Sequence, residues 1–281
     1  MKNLLLIVFA FCSFGIAQSD STSQPLDWKH SLVSGLLLTQ MSYTDWAQGG
    51  ENALAYILTI DGKSVRDVTM TNWSNTYKIA YGQTRLGSNG LRKTDDKLEF
   101  ESVLTYKLGT HINPYASATF KSQFADGFKY NDVAGTKAKT SAGFDPMYLT
   151  QAVGVGYQPI VQIKTRLGAA VREVFSNAQG YADDSKTTST IETSKVEGGL
   201  ESVTDAEWQF EENILITTKL EMFSAFNKID LVIVRSNNTI VAKVSKYISV
   251  NLNVQLINDA NITARTQVKQ SLAMGLTYTL L

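Results

Sequence analysis

Cysteine is almost absent from this sequence, and its single example lies near the N-terminus. Cys12 falls in an apolar run that begins shortly after Lys2 and is followed by small residues. A positive residue, a short apolar run and small residues in this order predict a secretory signal peptide over 1–17. The exported chain then contains no cysteine, which excludes disulfides and cysteine metal sites. Phe11 before Cys12 argues against a lipid anchor on that cysteine.

Long apolar runs and an excess of one charge are also missing. Beyond the predicted signal, no apolar run reaches the roughly 18 residues of a membrane helix. Removing Lys2 with the signal leaves 25 basic residues against 26 acidic ones, so no basic surplus indicates nucleic acid binding. A membrane protein of this composition has to cross the bilayer as a closed β-barrel.

Histidine is scarce, which bears on enzyme activity. The only two are His30 and His111, and both fall at the same predicted end of their strands. Hydrolysis by serine and histidine needs a positioned base and a group that orients it, and the sequence ties no serine or carboxylate to either histidine. We therefore predict no enzyme activity and no cofactor.

Strict alternation of apolar and polar residues is what the sequence does contain. In residues 247–257 (YISVNLNVQLI), apolar side chains occupy every second position from Ile248 to Leu256. A period of two predicts a strand with one apolar and one polar face. Twelve segments of this kind are 29–43, 53–62, 68–86, 95–109, 112–125, 147–159, 161–176, 195–211, 213–227, 230–245, 247–259 and 265–281. In the weakest, 230–245, Asn237-Asn238 interrupts the pattern and we expect a bulge.

The connections between these segments alternate between short and long. The short ones contain GTHIN, YQPIV, EEN and SKY, and the long ones are 44–52, 87–94, 126–146 and 177–194. Short turns at one end, long loops at the other and an even number of strands predict an all-β transmembrane antiparallel up-and-down barrel of about twelve strands. The expected organisation is a signal peptide over 1–17, a polar periplasmic leader over 18–27 and a barrel over 28–281.

A soluble sandwich or a small soluble barrel is the alternative, because it shows the same alternation. The polar faces here mix charges with glycine, alanine, serine and threonine, which suits a lumen better than a surface in bulk water. Aromatic residues near the strand ends are expected to form girdles at two membrane interfaces: Trp28, Tyr43, Trp46, Trp73, Tyr106, Tyr157, Trp208, Phe210, Tyr247 and Tyr278. Together these features favour the outer membrane of a Gram-negative bacterium.

Several short stretches resemble one uncharacterised family. The stretch 45–52 (DWAQGGEN) resembles the pattern Asn-Trp-x-x-Gly-Gly-x-Asn of the outer-membrane barrel family known as domain of unknown function 3078, with Asp45 as a departure from it. The stretch 92–99 (RKTDDKLE) is similar to that family's second motif, and 246–252 and 275–278 fit as well. The resemblance implies a barrel in the outer membrane and no established activity.

The predicted lumen carries charges of both signs. With apolar faces outward, segment 161–176 presents a basic row and its neighbour 195–211 an acidic row. We expect the two rows to pair across strands, or to set up a transverse field across an aqueous pore. The expected lumen charges are Lys97, Glu99, Glu101, Lys107, Lys164, Arg166, Arg172, Glu201, Asp205, Glu207, Lys219 and Glu221.

The predicted extracellular loops contain a second group of polar residues, and Gly49-Gly50 there suits a tight loop with positive φ. Acidic side chains in this group suggest a hard cation, but their spacing matches no calcium loop. We therefore expect no metal, and instead either a solvated loop or pairing of these acids with Arg92 and Lys93. The loop motif residues are Asp45, Trp46, Gly49, Gly50, Glu51, Asn52, Arg92, Lys93, Asp95 and Asp96.

Three functions follow from these expectations, in decreasing order of preference. The first is porin-like passage of small polar solutes through a charge-paired lumen, in contact with outer-membrane lipid. The second is a non-conducting structural barrel that binds a protein partner through its extracellular loops. An outer-membrane hydrolase is a distant third. Whether the loop 126–146 folds into the lumen decides between an open and a plugged barrel.

Overall fold

A computed structural model describes residues 28–42, 51–177, 180–183 and 190–279. Its main element is a closed antiparallel barrel of twelve strands, as the alternation predicted. The barrel strands are β1 (Trp28–Met41), β2 (Ala53–Asp67), β3 (Thr71–Leu86), β4 (Arg92–Tyr106), β5 (Ile112–Ser122), β8 (Met147–Ile160), β9 (Ile163–Phe175), β10 (Ser194–Glu211), β11 (Ile214–Ala225), β12 (Val232–Lys243), β13 (Ile248–Asn258) and β14 (Gln267–Thr279). The predicted signal peptide and leader lie outside the described residues.

The barrel has a simple up-and-down order, in which each barrel strand pairs with the next barrel strand along the chain. Closure comes from β1 and β14, paired from Val33↔Thr279 to Leu37↔Gly275. Between β5 and β8, two short strands, β6 (Gly127–Asn131) and β7 (Thr136–Ser141), form a separate hairpin. This hairpin occupies the long connection 126–146. Among the described residues, no helix is long and apolar enough to cross a membrane.

The two faces of each strand meet different surroundings. On β14, the outward Leu272 and Leu276 are 72% and 58% exposed, whereas the inward Ser249 of the adjoining β13 is 2% exposed. A barrel whose outer face is a continuous set of exposed aliphatic side chains presents that face to lipid. The apolar residues of YISVNLNVQLI therefore belong to a lipid-facing stripe, and its asparagines to the lumen wall.

The two ends of the barrel also differ. We call the end with the short β2–β3, β4–β5, β8–β9, β10–β11 and β12–β13 connections the turn end, and the opposite end the loop end. The predicted girdle aromatics that the structure describes all lie at the turn end: Trp28, Trp73, Tyr106, Tyr157, Trp208, Phe210, Tyr247 and Tyr278. The expectation that they mark two interfaces was wrong for these eight, while Tyr43 and Trp46 lie outside the described residues.

The bulge expected at Asn237-Asn238 is not formed. β12 pairs without a register shift with both β11 and β13. Asn238 lies on the outward face, where its side chain donates to Ser236 Oγ at 2.9 Å. A local bond between two polar side chains thus lets this polar dipeptide stay in a regular strand. Register shifts occur instead at Gly82/Gln83, Tyr157/Ile160 and Gln209/Glu211.

Candidate lumen site

Charged side chains meet across the barrel interior rather than along its wall. Glu101 of β4 accepts a hydrogen bond from Arg166 of β9 and another, at 2.5 Å, from Lys219 of β11. These three strands are not neighbours in the barrel, so the bonds cross the lumen. The Glu101 and Arg166 side chains are each 11% exposed, and the Glu101 carboxylate is therefore a buried anion between two cations.

A second pair crosses the lumen beside the first. Lys121 of β5 donates to Glu221 of β11, and Lys219 Nζ lies 3.9 Å from Glu221 and 3.8 Å from Asp205. We call Glu101, Lys121, Arg166, Lys219 and Glu221 the charged cluster. Buried charges of alternating sign are favourable only when each is paired and hydrogen-bonded. Each member of the cluster has an oppositely charged partner, while Arg166 Nε has no hydrogen-bond partner among the described residues. The cluster occupies the lumen on the side of β4, β5 and β8–β11.

The pairing predicted between the neighbouring strands β9 and β10 is not observed. Arg166 lies opposite Val203 in the register rather than opposite a carboxylate, and no described ion pair joins Lys164 to Asp205, which lies opposite it. Arg172 does lie opposite Glu197, but Lys195 Nζ holds that carboxylate at 2.6 Å. Arg166 therefore takes its carboxylate partner from across the lumen rather than from β10.

The other predicted lumen charges, apart from Asp205, occupy four places. Lys97 and Glu99 line the loop-end opening, and Glu201 is buried in the wall beside the charged cluster. Lys164 and Glu207 are exposed at the turn end. Lys107 lies just past β4 and bonds Asp67 at 2.6 Å, outside the barrel wall. The sequence prediction omitted Lys121, Arg235 and Lys269, although all three occupy inward positions by the same alternation.

The lumen wall opposite the charged cluster carries few charges. β12, β13, β14 and β1, which we call the polar arc, present mainly asparagine, serine, threonine, alanine and glycine inward along their middle portions. Asn253 donates to Asn237 Oδ1 and to Thr239 Oγ1, each at 2.8 Å. Ser249 and Thr277 share a hydrogen bond of 2.8 Å between their hydroxyls. These bonds hold polar side chains flat against the wall.

Glycine makes room for the Tyr115 side chain in the lumen wall next to the charged cluster. Tyr115 of β5 is 5% exposed and pairs with Gly154 of β8. A Cβ on Gly168 of β9 would lie 2.7 Å from the Tyr115 hydroxyl oxygen and 2.4 Å from Val153 O. The absence of a side chain there lets the tyrosine ring lie across two strands. Arg166 Cζ then lies 5.8 Å from the centre of that ring.

Two cavities lie on the loop-end side of the charged cluster. The inner one has a volume of about 60 Å³ and is bounded by Lys121, Tyr148, Arg172, Glu201 and Arg235, among others. The outer one, which we call the vestibule, has a volume of about 490 Å³ and opens at the loop end. Phe128 and Thr140 of the β6–β7 hairpin line the vestibule. The hairpin therefore forms part of the entrance wall.

The loop motif residues that the structure describes form a network at this entrance. Lys93 Nζ donates to Asp96 at 2.9 Å, and Asp96 accepts from the backbone amides of Phe124 and Ala125 at 2.7 and 2.8 Å. Asp95 instead reaches across to Lys269 at 2.7 Å. Asp96 thus ties the second loop to the base of the hairpin.

Arg92 and the first loop complete the entrance network. Arg92 donates two hydrogen bonds to Asp132 in the hairpin turn, and these bonds hold the pKa of that carboxyl below its ordinary value. The amide of Gly87 donates to the carbonyl of Asn52, next to Glu51, at 2.7 Å. The motif residues Asp45, Trp46, Gly49 and Gly50 lie outside the described residues.

Neither histidine sits in the lumen cluster. His30 Nδ1 lies 2.8 Å from Ser64 Oγ, and its ring stacks on Trp28 at the turn end. His111 contacts Thr110 in a turn. The described contacts of His30 include no carboxylate to orient the ring, as a nucleophile and base would require. Within the described ranges, no group of three histidine, cysteine, aspartate or glutamate residues is arranged to hold a metal ion.

Solved structures similar to this chain are outer-membrane proteins. The NanC porin is 9% identical, with 89% of this chain and 100% of the porin covered at a TM-score of 0.40. The translocator domain of autotransporter NalP from Neisseria meningitidis is 9% identical, covering 89% and 86% of the two chains at a TM-score of 0.37. The outer membrane channel DcaP of Acinetobacter baumannii is 9% identical, covering 90% and 97% at a TM-score of 0.31.

Comparison by sequence gives one family. No curated protein sequence matches the chain. The model of the family described as "Protein of unknown function (DUF3078)" matches residues 38–128, a range that runs from β1 to the β6–β7 hairpin and includes both loop motifs. The resemblance inferred from DWAQGGEN and RKTDDKLE is thereby confirmed over that part of the chain.

Proposed function

We propose that this barrel admits small polar solutes through a narrow lumen, between the charged cluster on one side and the polar arc on the other. The supporting observation is the asymmetry of the lumen. Long charged side chains extend from β4, β5, β9 and β11 and form ion pairs with one another, whereas the facing wall carries short, polar and largely uncharged side chains. A wall of that kind offers hydrogen bonds to a solute without a fixed charge to trap it.

The outer membrane of a Gram-negative bacterium is the proposed location. The apolar outer face, the aromatic residues at the turn end and the predicted signal peptide support it. Cell fractionation tests this part directly. The protein is expected in the detergent-soluble outer-membrane fraction, and recovery as a soluble periplasmic protein would contradict the proposal.

Planar-bilayer recording tests the passage of solutes. Purified protein is expected to give small, discrete conductance steps, because the charged cluster leaves only part of the lumen clear. Ser271→Trp adds a bulky ring to the inward face of the polar arc and should remove most of the conductance. Met274→Trp adds the same ring to the outward face of the same strand, β14, and should leave conductance unchanged. Equal effects of the two variants would contradict a path along the polar arc.

A second candidate is a non-conducting barrel that binds a protein partner through its loops. The observation that favours it is the pair of ionic contacts spanning the lumen, Glu101 to Lys219 and Lys121 to Glu221. Silent bilayers with demonstrably folded protein would support this candidate over the first. Photo-crosslinking from position 46, in the first loop, should then capture one defined protein, and failure to capture any would count against it.

A further inference from the structure

Two arginines face the same aromatic ring at the boundary between the two cavities. The guanidinium carbon of Arg172, on β9, lies 5.2 Å from the centre of the Tyr148 ring, and that of Arg235, on β12, lies 5.0 Å from it. Arg172 also lies 5.6 Å from the Phe223 ring. Contact with an aromatic face offsets part of the cost of holding a cation in a confined space. It does not offset the repulsion between two cations gathered at one ring.

Of the carboxylates near these arginines, Glu221 and Glu197 are held by lysines, and Asp259 accepts from Asn261. Arg235 lies opposite Glu221 in the register, but Lys121 bonds that carboxylate across the lumen. Among the residues that the structure describes, Arg235 has no ion-pair partner. The nearest carboxylate to Arg172 is Asp259, at 3.8 Å, beyond hydrogen-bond distance. Two guanidinium groups thus have donors with no hydrogen-bond partner among the described residues.

Arg235 lines the vestibule at the loop end, whereas Arg172 lies deeper and is 8% exposed. Arg172, Arg235 and Tyr148 line the inner cavity, and Arg235 and Tyr148 also line the vestibule. Positive groups outnumber negative ones in the lining of the inner cavity, where Lys121, Arg166, Arg172 and Arg235 are set against Glu201 and Glu221. A solute that enters the vestibule therefore meets a net positive surface at its base.

We propose that Arg172, Arg235 and Tyr148 form a binding site for the carboxylate or phosphate group of a small anion. The planar guanidinium group donates two parallel hydrogen bonds to either group. A bound anion would also remove the repulsion between the two arginines. The site goes beyond the proposed transport, because binding at equilibrium does not require that the lumen conduct.

Isothermal titration of the full-length protein in detergent micelles tests the site. The probes are inorganic phosphate and succinate at low ionic strength, with glycerol as an uncharged control. Binding of at least one anion is expected, and the stronger binder identifies which group the site prefers. Absence of binding by both, or equal binding of glycerol, would overturn the proposal.

Three variants locate the binding and guard against misfolding. Arg235→Gln should lower the affinity for the anion by about tenfold or more, because it removes a charged donor. Arg235→Lys keeps the positive charge but cannot donate two parallel hydrogen bonds, and it should give an intermediate affinity. Arg265→Gln, in the exposed β13–β14 loop, should bind like wild type. Folding of each variant is checked by heat-modifiable migration on gels, and equal affinities for Arg235→Gln and Arg265→Gln in folded protein would overturn the site.

Conductance and binding can fail separately. Anion binding with silent bilayers would remove the proposed passage of solutes and leave the site in place. Conductance without anion binding would remove the proposed binding site and leave the proposed passage of solutes in place.

Discussion

The charged cluster and the polar arc are two solutions to the same problem, which is how to line the inside of a barrel whose outside faces lipid. On the side of β4, β5, β9 and β11, long side chains extend inward and are stabilised by partners on distant strands. On the polar arc, short side chains bond to their nearest neighbours along the wall. The charged cluster fills part of the lumen and joins distant strands. The polar arc leaves the lumen clear and joins only adjacent strands.

This difference has an energetic consequence. A buried carboxylate between two cations is costly to disturb, because removal of one partner leaves an uncompensated charge. A neutral hydrogen bond along a wall contributes about 1 kcal/mol net. Substitutions in the two regions should therefore differ both in size and in range.

Glu101→Gln should produce the largest loss. The substitution leaves Arg166 and Lys219 without the anion that joins them, and we expect the free energy of unfolding to fall by about 3–5 kcal/mol. Urea unfolding in lipid vesicles, followed by tryptophan fluorescence, measures the change. Glu207→Gln, at the exposed turn end, is the matched control and should shift the free energy by less than about 0.5 kcal/mol. Similar losses in both variants would show that the cluster is no more tightly coupled than the rim.

The alternation of residues was sufficient to predict the barrel, because a two-residue period indicates which side chains face lipid and which face the lumen. It placed the twelve strands with boundaries mostly within a few residues; the largest difference is β2, which extends to Asp67 rather than ending at residue 62. It also placed Glu101, Arg166 and Lys219 on the inward face. Strand identity and side-chain direction are local properties of the sequence.

The ion-pair partners of these residues could not be predicted from the alternation. Which residues meet across a lumen depends on the tilt and stagger of strands in the closed barrel, and no local pattern encodes that. Nearest-neighbour reasoning therefore assigned Arg166 to the carboxylates of β10, whereas the register places Val203 opposite it and the lumen supplies Glu101. The polar arc shows the converse, since its bonds join adjacent strands and follow from register alone.

Asn253→Ala probes the polar arc and should have a smaller effect. It removes the bonds to Asn237 and Thr239, and we expect a loss of about 1–2 kcal/mol in the free energy of unfolding. The same urea experiment measures it. Asn258→Ala removes one exposed bond, to Thr266, and should cost a few tenths of a kcal/mol at most. A loss for Asn253→Ala as large as that of Glu101→Gln would erase the proposed difference between the two regions.

Lys269→Gln tests the contact that joins the two regions at the vestibule. Lys269 belongs to the polar arc, and its partner Asp95 lies on β4 across the opening. The lysine side chain is 42% exposed, so water screens the pair and its contribution should be about 0.5 kcal/mol or less. Raising the salt concentration to about 1 M should abolish the difference between variant and wild type. A loss that persists in high salt would mean that this pair behaves like the buried cluster.

The contact between Arg92 and Asp132 lies at the loop end, between β4 and the hairpin turn, where the Asp132 side chain is 67% exposed. Arg92 lowers the pKa of the Asp132 carboxyl, so the pair stabilises the hairpin above the unfolded-state pKa of about 3.9. That stabilisation is lost as the pH falls through the lower folded-state value. Titration of the Asp132 carboxyl carbon by NMR should give a higher pKa in Arg92→Gln than in wild type. An unchanged pKa would mean that the two side chains do not hold their contact in solution. The hairpin would then be positioned by the bonds between Asp96 and the backbone of Phe124 and Ala125 alone.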